Sequence, residues 1–223
     1  MQTILITGGT GLVGKKLSKY LLSKGYKVIV LTRKIPSVNN ESKIEYAVWD
    51  IKKQTIDITA LQKADYIIHL AGAGVVDKKW TEAYKKEIKE SRTLSSLLIV
   101  NSLKEHPHSV KAIISSSAIG WYGEDKQNGF AFTEDDDSDN SFLGETCKLW
   151  EDSIEPASAL GIRVCKLRTG IVLSNDGGAL SEFKKPLNLG VAAILGNGKQ
   201  IVSWIHIDDL CRMFLFAIEH AEM

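Results

Sequence analysis

The sequence predicts an α/β fold with a doubly wound parallel sheet. Three observations lead there. Strand-like apolar segments alternate with stretches of helical periodicity, the pattern of repeated β-α-β units. The strand-like segments are continuously apolar rather than alternating, as strands covered on both faces are. A glycine triplet stands at the first strand-to-helix junction. The 223 residues, 44% hydrophobic and 25% charged, suit one domain spanning 1–223.

The elements follow in order. Residues 3–7 (Thr-Ile-Leu-Ile-Thr) form the first expected strand. Residues 12–24 place Leu12, Val13, Leu17, Leu21 and Leu22 at helical spacing, and Gly25 suits the helix end. Further strands are expected at 27–32, 44–49, 64–70, 111–115 and 163–167. A long helix is expected over 81–104. Another covers 145–160, where Pro156 should kink or shorten it because proline lacks a backbone N–H.

Charge and cysteine usage exclude several functions. Lys and Arg number 28 against 27 Asp and Glu, a net charge of +1. That leaves no electrostatic footprint for nucleic acid. No apolar run approaches the ~18–20 residues that cross a bilayer, and the first residues lack a signal-peptide pattern. Cys147, Cys165 and Cys211 are far apart without a CxxC spacing. They read as reduced thiols in the cytoplasm rather than as a zinc site or disulfide framework. The acidic run Glu134, Asp135, Asp136, Asp137, with Asp139, reads as a solvated loop.

The chemistry is concentrated in the run Thr7-Gly8-Gly9-Thr10-Gly11-Leu12-Val13-Gly14. Gly8, Gly11 and Gly14 have the spacing G-x-x-G-x-x-G between a strand and a helix. A tight turn there needs positive φ, which glycine adopts without strain. A side chain at the middle glycine would block a pyrophosphate from the helix N-terminus, where free N–H groups and the dipole favour anions. The third glycine lets helix and strand approach. Position 33, after the second strand, decides between cofactors. An acid there would bind the ribose 2′-hydroxyl of NAD. Leu31-Thr32-Arg33-Lys34 offers instead an Arg33 that can pair with a 2′-phosphate. The sequence therefore points to NADP, with NADPH preferred over NADH. Asp50 is a candidate partner for the adenine amino group.

With these go His69-Leu70-Ala71-Gly72, Ser115-Ser116-Ser117-Ala118, Tyr122-Gly123, the run from Leu167 to Leu173, Gly177-Gly178-Ala179-Leu180, and Ser203 to Leu210. Taken in order, they resemble the extended short-chain dehydrogenase/reductases. More closely they resemble its atypical epimerase branch, similar to NAD-dependent epimerases and dehydratases, over nearly the whole chain. The resemblance implies a Rossmann sheet with a small, truncated C-terminal substrate lobe, to which 174–205 contributes. It implies Thr32 and Arg33 at the 2′-phosphate and Leu70, Ala71 and Gly72 lining the cofactor. It also implies Glu87 and Arg92 approaching it, and Gly170, Ile171 and Val172 near the nicotinamide.

For catalysis the resemblance implies Ser117, or Ser116, polarising a substrate oxygen, and Lys148 in the lysine role. The tyrosine expected four residues before that lysine is absent. Gly144 stands there, and 142–147 contain no tyrosine. Tyr122 is the candidate replacement. Cys147 and His206 are weaker alternatives, and Asp208 and Asp209 suit the cap of a following helix.

The expected function is NADP(H)-dependent oxidoreduction or epimerisation of a small carbonyl or sugar-like substrate. The alternatives are a non-catalytic NADP(H)-binding sensor or scaffold, and a structural partner with a vestigial cofactor loop. A homodimer through the two long helices is also implied by the resemblance.

Overall fold

The structure is a computed structural model that describes residues 1–36, 43–125, 131–188, 190–191, 198 and 200–222. Strand β1 (Thr3–Thr7) leads into helix α1 (Leu12–Ser23) and β2 (Lys27–Thr32). After these come β3 (Ile44–Asp50), β4 (Thr55–Ile56), α2 (Ile58–Gln62), β5 (Tyr66–His69) and α3 (Glu82–Glu105). Then β6 (Ala112–Ala118), α4 (Phe142–Ile154) and β7 (Arg163–Thr169) complete the central layer. A second group holds β8 (Ile171–Ser174), β9 (Gly177–Gly178), α5 (Ala179–Asn188), β10 (Trp204–His206) and α6 (Ile207–Glu219).

The main sheet has the order β4-β3-β2-β1-β5-β6-β7. Every pairing is parallel except the short β4 against β3. Chain order therefore reverses between β1 and β5. That is the switch point where open α/β sheets bind ligands at the strands' carboxyl ends. The expected doubly wound sheet is present.

Its side chains alternate between two buried clusters. Leu5, Ile29, Leu31, Ile67 and Ile113 point to the α3 and α4 face, against Leu98, Ile99, Leu103 and Ile154. Ile4, Ile6, Val28, Val30, Ile68 and Ile114 point to the α1 and α6 face, against Leu17, Leu21, Phe214 and Leu215. Burial on both faces explains why these strands read as continuous apolar runs.

Boundaries differ from the sequence expectation where local chemistry intervenes. Helix α4 starts three residues early, because Ser141 Oγ accepts the Gly144 N–H at 3.3 Å and caps it. Its α-helical part ends at Ile154, and 3₁₀ geometry runs from Glu155 to Leu160 with Pro156 in its first turn. The proline shortens the helix, as its missing N–H requires. Strand β6 extends to Ala118, so Ser116 and Ser117 lie within the strand rather than after it. The C-terminal group forms a small sheet of order β10-β8-β9 beside the main one. No helix among the described residues is long and apolar enough to cross a membrane.

Candidate functional site

The turn after β1 is shaped by backbone contacts. Gly8 has φ +68°, and a Cβ there would lie 2.9 Å from the Leu70 carbonyl. A Cβ on Gly14 would overlap the Gly8 carbonyl oxygen. Gly11 differs, since its Cβ would meet only that oxygen at 3.3 Å. The protein's own packing therefore requires Gly8 and Gly14, while Gly11 leaves space on the outer side of the turn. Gly11 is also the N-cap of α1, and no side chain among the described residues caps that helix. Its first N–H groups face an open, positively polarised cradle, which fits a pyrophosphate.

Thr7 lies beneath this turn. Its Oγ1 accepts N–H groups from Leu70 and Ala71, both at 3.1 Å. The Thr7 hydroxyl hydrogen then points to His69 Nδ1 at 2.7 Å. That leaves Nε2 as the protonated ring nitrogen, 3.1 Å from Ser96 Oγ. Burial holds the His69 pKa down at about 3, and the Arg92 charge adds to the effect. Thr7 thus joins the ends of β1 and β5 from inside and does not reach the surface.

At the switch point opens a cleft of about 280 Å³. Of the residues singled out from sequence, Val13, Leu70, Gly72, Arg92, Ser117, Gly170 and Val172 line it, with Ser116. Ala71 is buried beside it and Ile171 donates its N–H to the Ser203 carbonyl at 2.9 Å. Leu12 contacts Gly178 and Thr10 is exposed on the turn. Arg92 is 9% exposed. Its Nη1 donates to the Ile88 carbonyl at 2.9 Å and its guanidinium lies 4.9 Å from the Trp150 ring. Burial lowers its pKa, and no carboxylate among the described residues pairs with it.

Other expectations fall elsewhere. Lys148 is exposed, pairs with Asp152 at 2.7 Å and is not among the residues that line the cleft. The buried side of α4 is formed by Cys147, Trp150 and Glu151, and Lys148 is turned outward. Glu87 is exposed and pairs with Lys78 at 3.2 Å, away from the cleft. Asp50 accepts the N–H groups of Lys52 and Lys53 at 2.9 and 3.2 Å, closing a turn after β3. Thr32 Oγ1 donates to the Lys34 carbonyl at 3.0 Å, and Arg33 is exposed at the strand end. The cap of α6 is His206, whose Nδ1 accepts from the Asp208 N–H at 3.2 Å. Asp208 and Asp209 lie inside the first turn instead. Burial raises the Cys147 thiol above its ordinary pKa, which disfavours the reactive thiolate.

One cluster was missed by sequence. Ser117 Oγ donates to Glu151 Oε1 at 2.6 Å. Arg168 forks onto the same carboxylate, Nε to Oε1 at 3.0 Å and Nη2 to Oε2 at 3.1 Å. Its Nη1 reaches Tyr122 Oη at 3.1 Å, and its guanidinium lies 3.7 Å from the Trp121 ring. Burial pulls the Arg168 pKa down, but the bonds to Glu151 and Tyr122 outweigh it and hold the guanidinium above its ordinary value. Ser117 and Arg168 are register partners on β6 and β7, so both face α4. Tyr122, stacked on Phe132, joins the cluster through Arg168 and is not at the cleft wall. The one sequence signal was Glu151 four residues after Cys147, on one helical face.

Comparison with known proteins agrees with this geometry. The model of the NAD dependent epimerase/dehydratase family matches residues 4–223. An epimerase family protein of Staphylococcus saprophyticus is 36% identical over 219 residues, covering 98% of this chain and 71% of the relative. A nucleoside-diphosphate sugar epimerase from Corynebacterium glutamicum superposes with a TM-score of 0.82 at 35% identity. That match covers all of this chain but 44% of the other. A human epimerase family protein solved with NADPH superposes at 0.84 and 24% identity, covering all of this chain and 72% of its own.

Proposed function

The chain belongs to the NAD-dependent epimerase/dehydratase family, and from that premise we propose that it is an NADP(H)-dependent oxidoreductase or epimerase. Its substrate would be a small carbonyl or sugar-like molecule. The observation that carries this is the cleft at the switch point, where Val13 of the first turn of α1 and Ser117 line one space. One end suits a dinucleotide and the other carries a polar group able to meet a substrate oxygen.

When bound, the nicotinamide supplies or accepts a hydride. The chain's residues supply the rest. The Gly8–Gly11 turn, with Thr10, Leu12 and Val13, holds the pyrophosphate at the α1 N-terminus. Arg33 pairs with the 2′-phosphate beside Thr32, and Asp50 stands toward the adenine. Leu70, Ala71 and Gly72 flank the cofactor's middle, while Gly170, Ile171 and Val172 flank the nicotinamide end. Arg92 adds a positive charge to the same cleft, and Ser117 meets the substrate oxygen.

The second reading is a non-catalytic NADP(H)-binding sensor. The outward Lys148 and the lack of tyrosine over 142–147 favour it. A turnover screen with NADPH and NADP⁺ separates the two. Binding without turnover on any carbonyl, alcohol or sugar nucleotide supports the sensor. We also place the protein in the cytoplasm, in keeping with its free thiols. Two copies are proposed to pair through α3 and α4, which expose Leu94, Leu97 and Leu149.

A further inference from the structure

We propose that Glu151 is the positioning residue that takes up and returns the substrate's hydroxyl proton through Ser117, the task for which α4 offers no tyrosine. The proposal rests on the oxidoreductase reading above and deepens it at the same cleft.

The hydrogen positions follow from the partners. Glu151 is a carboxylate held by both arms of Arg168, and an ionised carboxylate only accepts hydrogen bonds. The hydrogen in the 2.6 Å contact therefore belongs to Ser117. With its O–H committed to Glu151, the Ser117 Oγ can only accept from a further partner, and Ser117 is among the residues lining the cleft. The ligand group that satisfies that oxygen is a donor, so the cleft is set for a substrate hydroxyl next to Ser117. Glu151 is only 5% exposed and sits behind Ser117. It reaches a substrate proton only by way of that hydroxyl.

The step balances. The substrate's C–H bond breaks and its electron pair leaves as hydride to the nicotinamide. Its O–H bond breaks as well, and that proton goes to Ser117 Oγ. Ser117's own proton passes to Glu151 Oε1, and the substrate becomes a carbonyl. On the return, protonated Glu151 gives its proton to Ser117 and Ser117 gives one to the carbonyl oxygen as hydride comes back. An epimerisation thus ends with the proton and hydride count unchanged, while a net oxidation leaves one proton on Glu151 for release. Arg168, braced by Tyr122 and Trp121, keeps the carboxylate facing Ser117 throughout.

The test uses the full chain with NADP⁺ or NADPH and a panel of secondary alcohols, sugar nucleotides and their carbonyl counterparts. Glu151→Gln is expected to lower kcat by about 100-fold or more, the usual scale of acid–base catalysis, with KM and NADPH affinity unchanged. Glu151→Asp should recover part of the loss. Ser117→Ala combined with Glu151→Gln should be no slower than Ser117→Ala alone, since one residue acts through the other. In wild type, rates in mixed H₂O and D₂O should bow downward, the signature of two protons in flight. This holds even if Glu151→Gln does not fold. Without turnover, the carboxylate carbon signal of Glu151, assigned by its loss in Glu151→Gln, should shift in Ser117→Ala. Full activity of Glu151→Gln overturns the relay and leaves the oxidoreductase reading intact. So do losses that add in the double variant, a linear isotope plot, or an unmoved carboxylate signal. A wild type that binds NADPH but turns over nothing in the panel overturns that reading and the relay with it.

Discussion

Thr7 Oγ1 and His69 Nδ1 lie 2.7 Å apart in the core, at the carboxyl ends of neighbouring strands. The hydroxyl accepts two backbone N–H groups of the following segment, so the hydrogen it donates can go only to an unprotonated ring nitrogen. The base of the glycine turn therefore depends on a neutral histidine.

Stability should consequently fall in mild acid. The folded His69 pKa is depressed to about 3, while the unfolded chain titrates near 6.5. Below pH 6.5 the unfolded state binds the extra proton. The stabilisation is complete above that pH and is lost as pH falls toward 3. Between pH 6.5 and 5 the loss should be about 2 kcal/mol. Urea unfolding of wild type and His69→Gln at both values checks it. Exposed carboxylates such as Asp208 and Asp139 affect both proteins alike, so equal pH slopes would refute the assignment.

Gly11 and Gly14 should separate binding from folding. A Cβ at 14 overlaps the Gly8 carbonyl, whereas one at 11 lies 3.3 Å from the Gly8 oxygen, a close contact that a shift of a few tenths of an ångström relieves. Gly14→Ala is expected to cost about 1–3 kcal/mol of stability, the usual effect of overpacking. Gly11→Val should keep a melting temperature near wild type and lose NADPH binding, read by nucleotide fluorescence. Retained affinity in folded Gly11→Val would remove the pyrophosphate cradle.

That contrast shows what the sequence could disclose. A turn whose backbone must adopt positive φ and approach a neighbour writes its need as glycine, so Gly8 to Gly14 was legible. Strands buried on both faces write theirs as apolar runs, so β1, β2 and β5 were legible too. Residues 55–62 fold into β4 and α2, each too short for a period to be visible. The Ser117–Glu151–Arg168 cluster was hidden for another reason. It depends on the β6–β7 register and on the rotation of α4, and neither has a local signature. The same rotation turns Lys148 outward while bringing Glu151 in.

Arg33 should set cofactor choice. It is exposed at the end of β2 and free to meet a 2′-phosphate, an interaction of the charge-assisted kind worth ~1.5–3 kcal/mol. Wild type should therefore bind NADPH at least about tenfold tighter than NADH, and Arg33→Ala should remove most of that ratio. Titration of both nucleotides against both proteins decides it, and an unchanged ratio would exclude Arg33.

Arg168 should matter to the fold as well as to Ser117. It is 16% exposed and Glu151 5%, so the pair is largely out of water. Replacing one partner leaves a buried charge without compensation, which typically costs about 3–5 kcal/mol. Arg168→Met should therefore destabilise strongly, while Arg168→Met with Glu151→Leu should recover much of the loss because no charge remains to be desolvated. The recovery should be incomplete, since Ser117 would still lack its acceptor and Tyr122 its donor. Denaturant unfolding of the two singles and the double gives the coupling. If the double variant is as unstable as the sum of its singles, the two side chains act separately, and the clamp that holds Glu151 against Ser117 is not what stabilises this corner of the sheet.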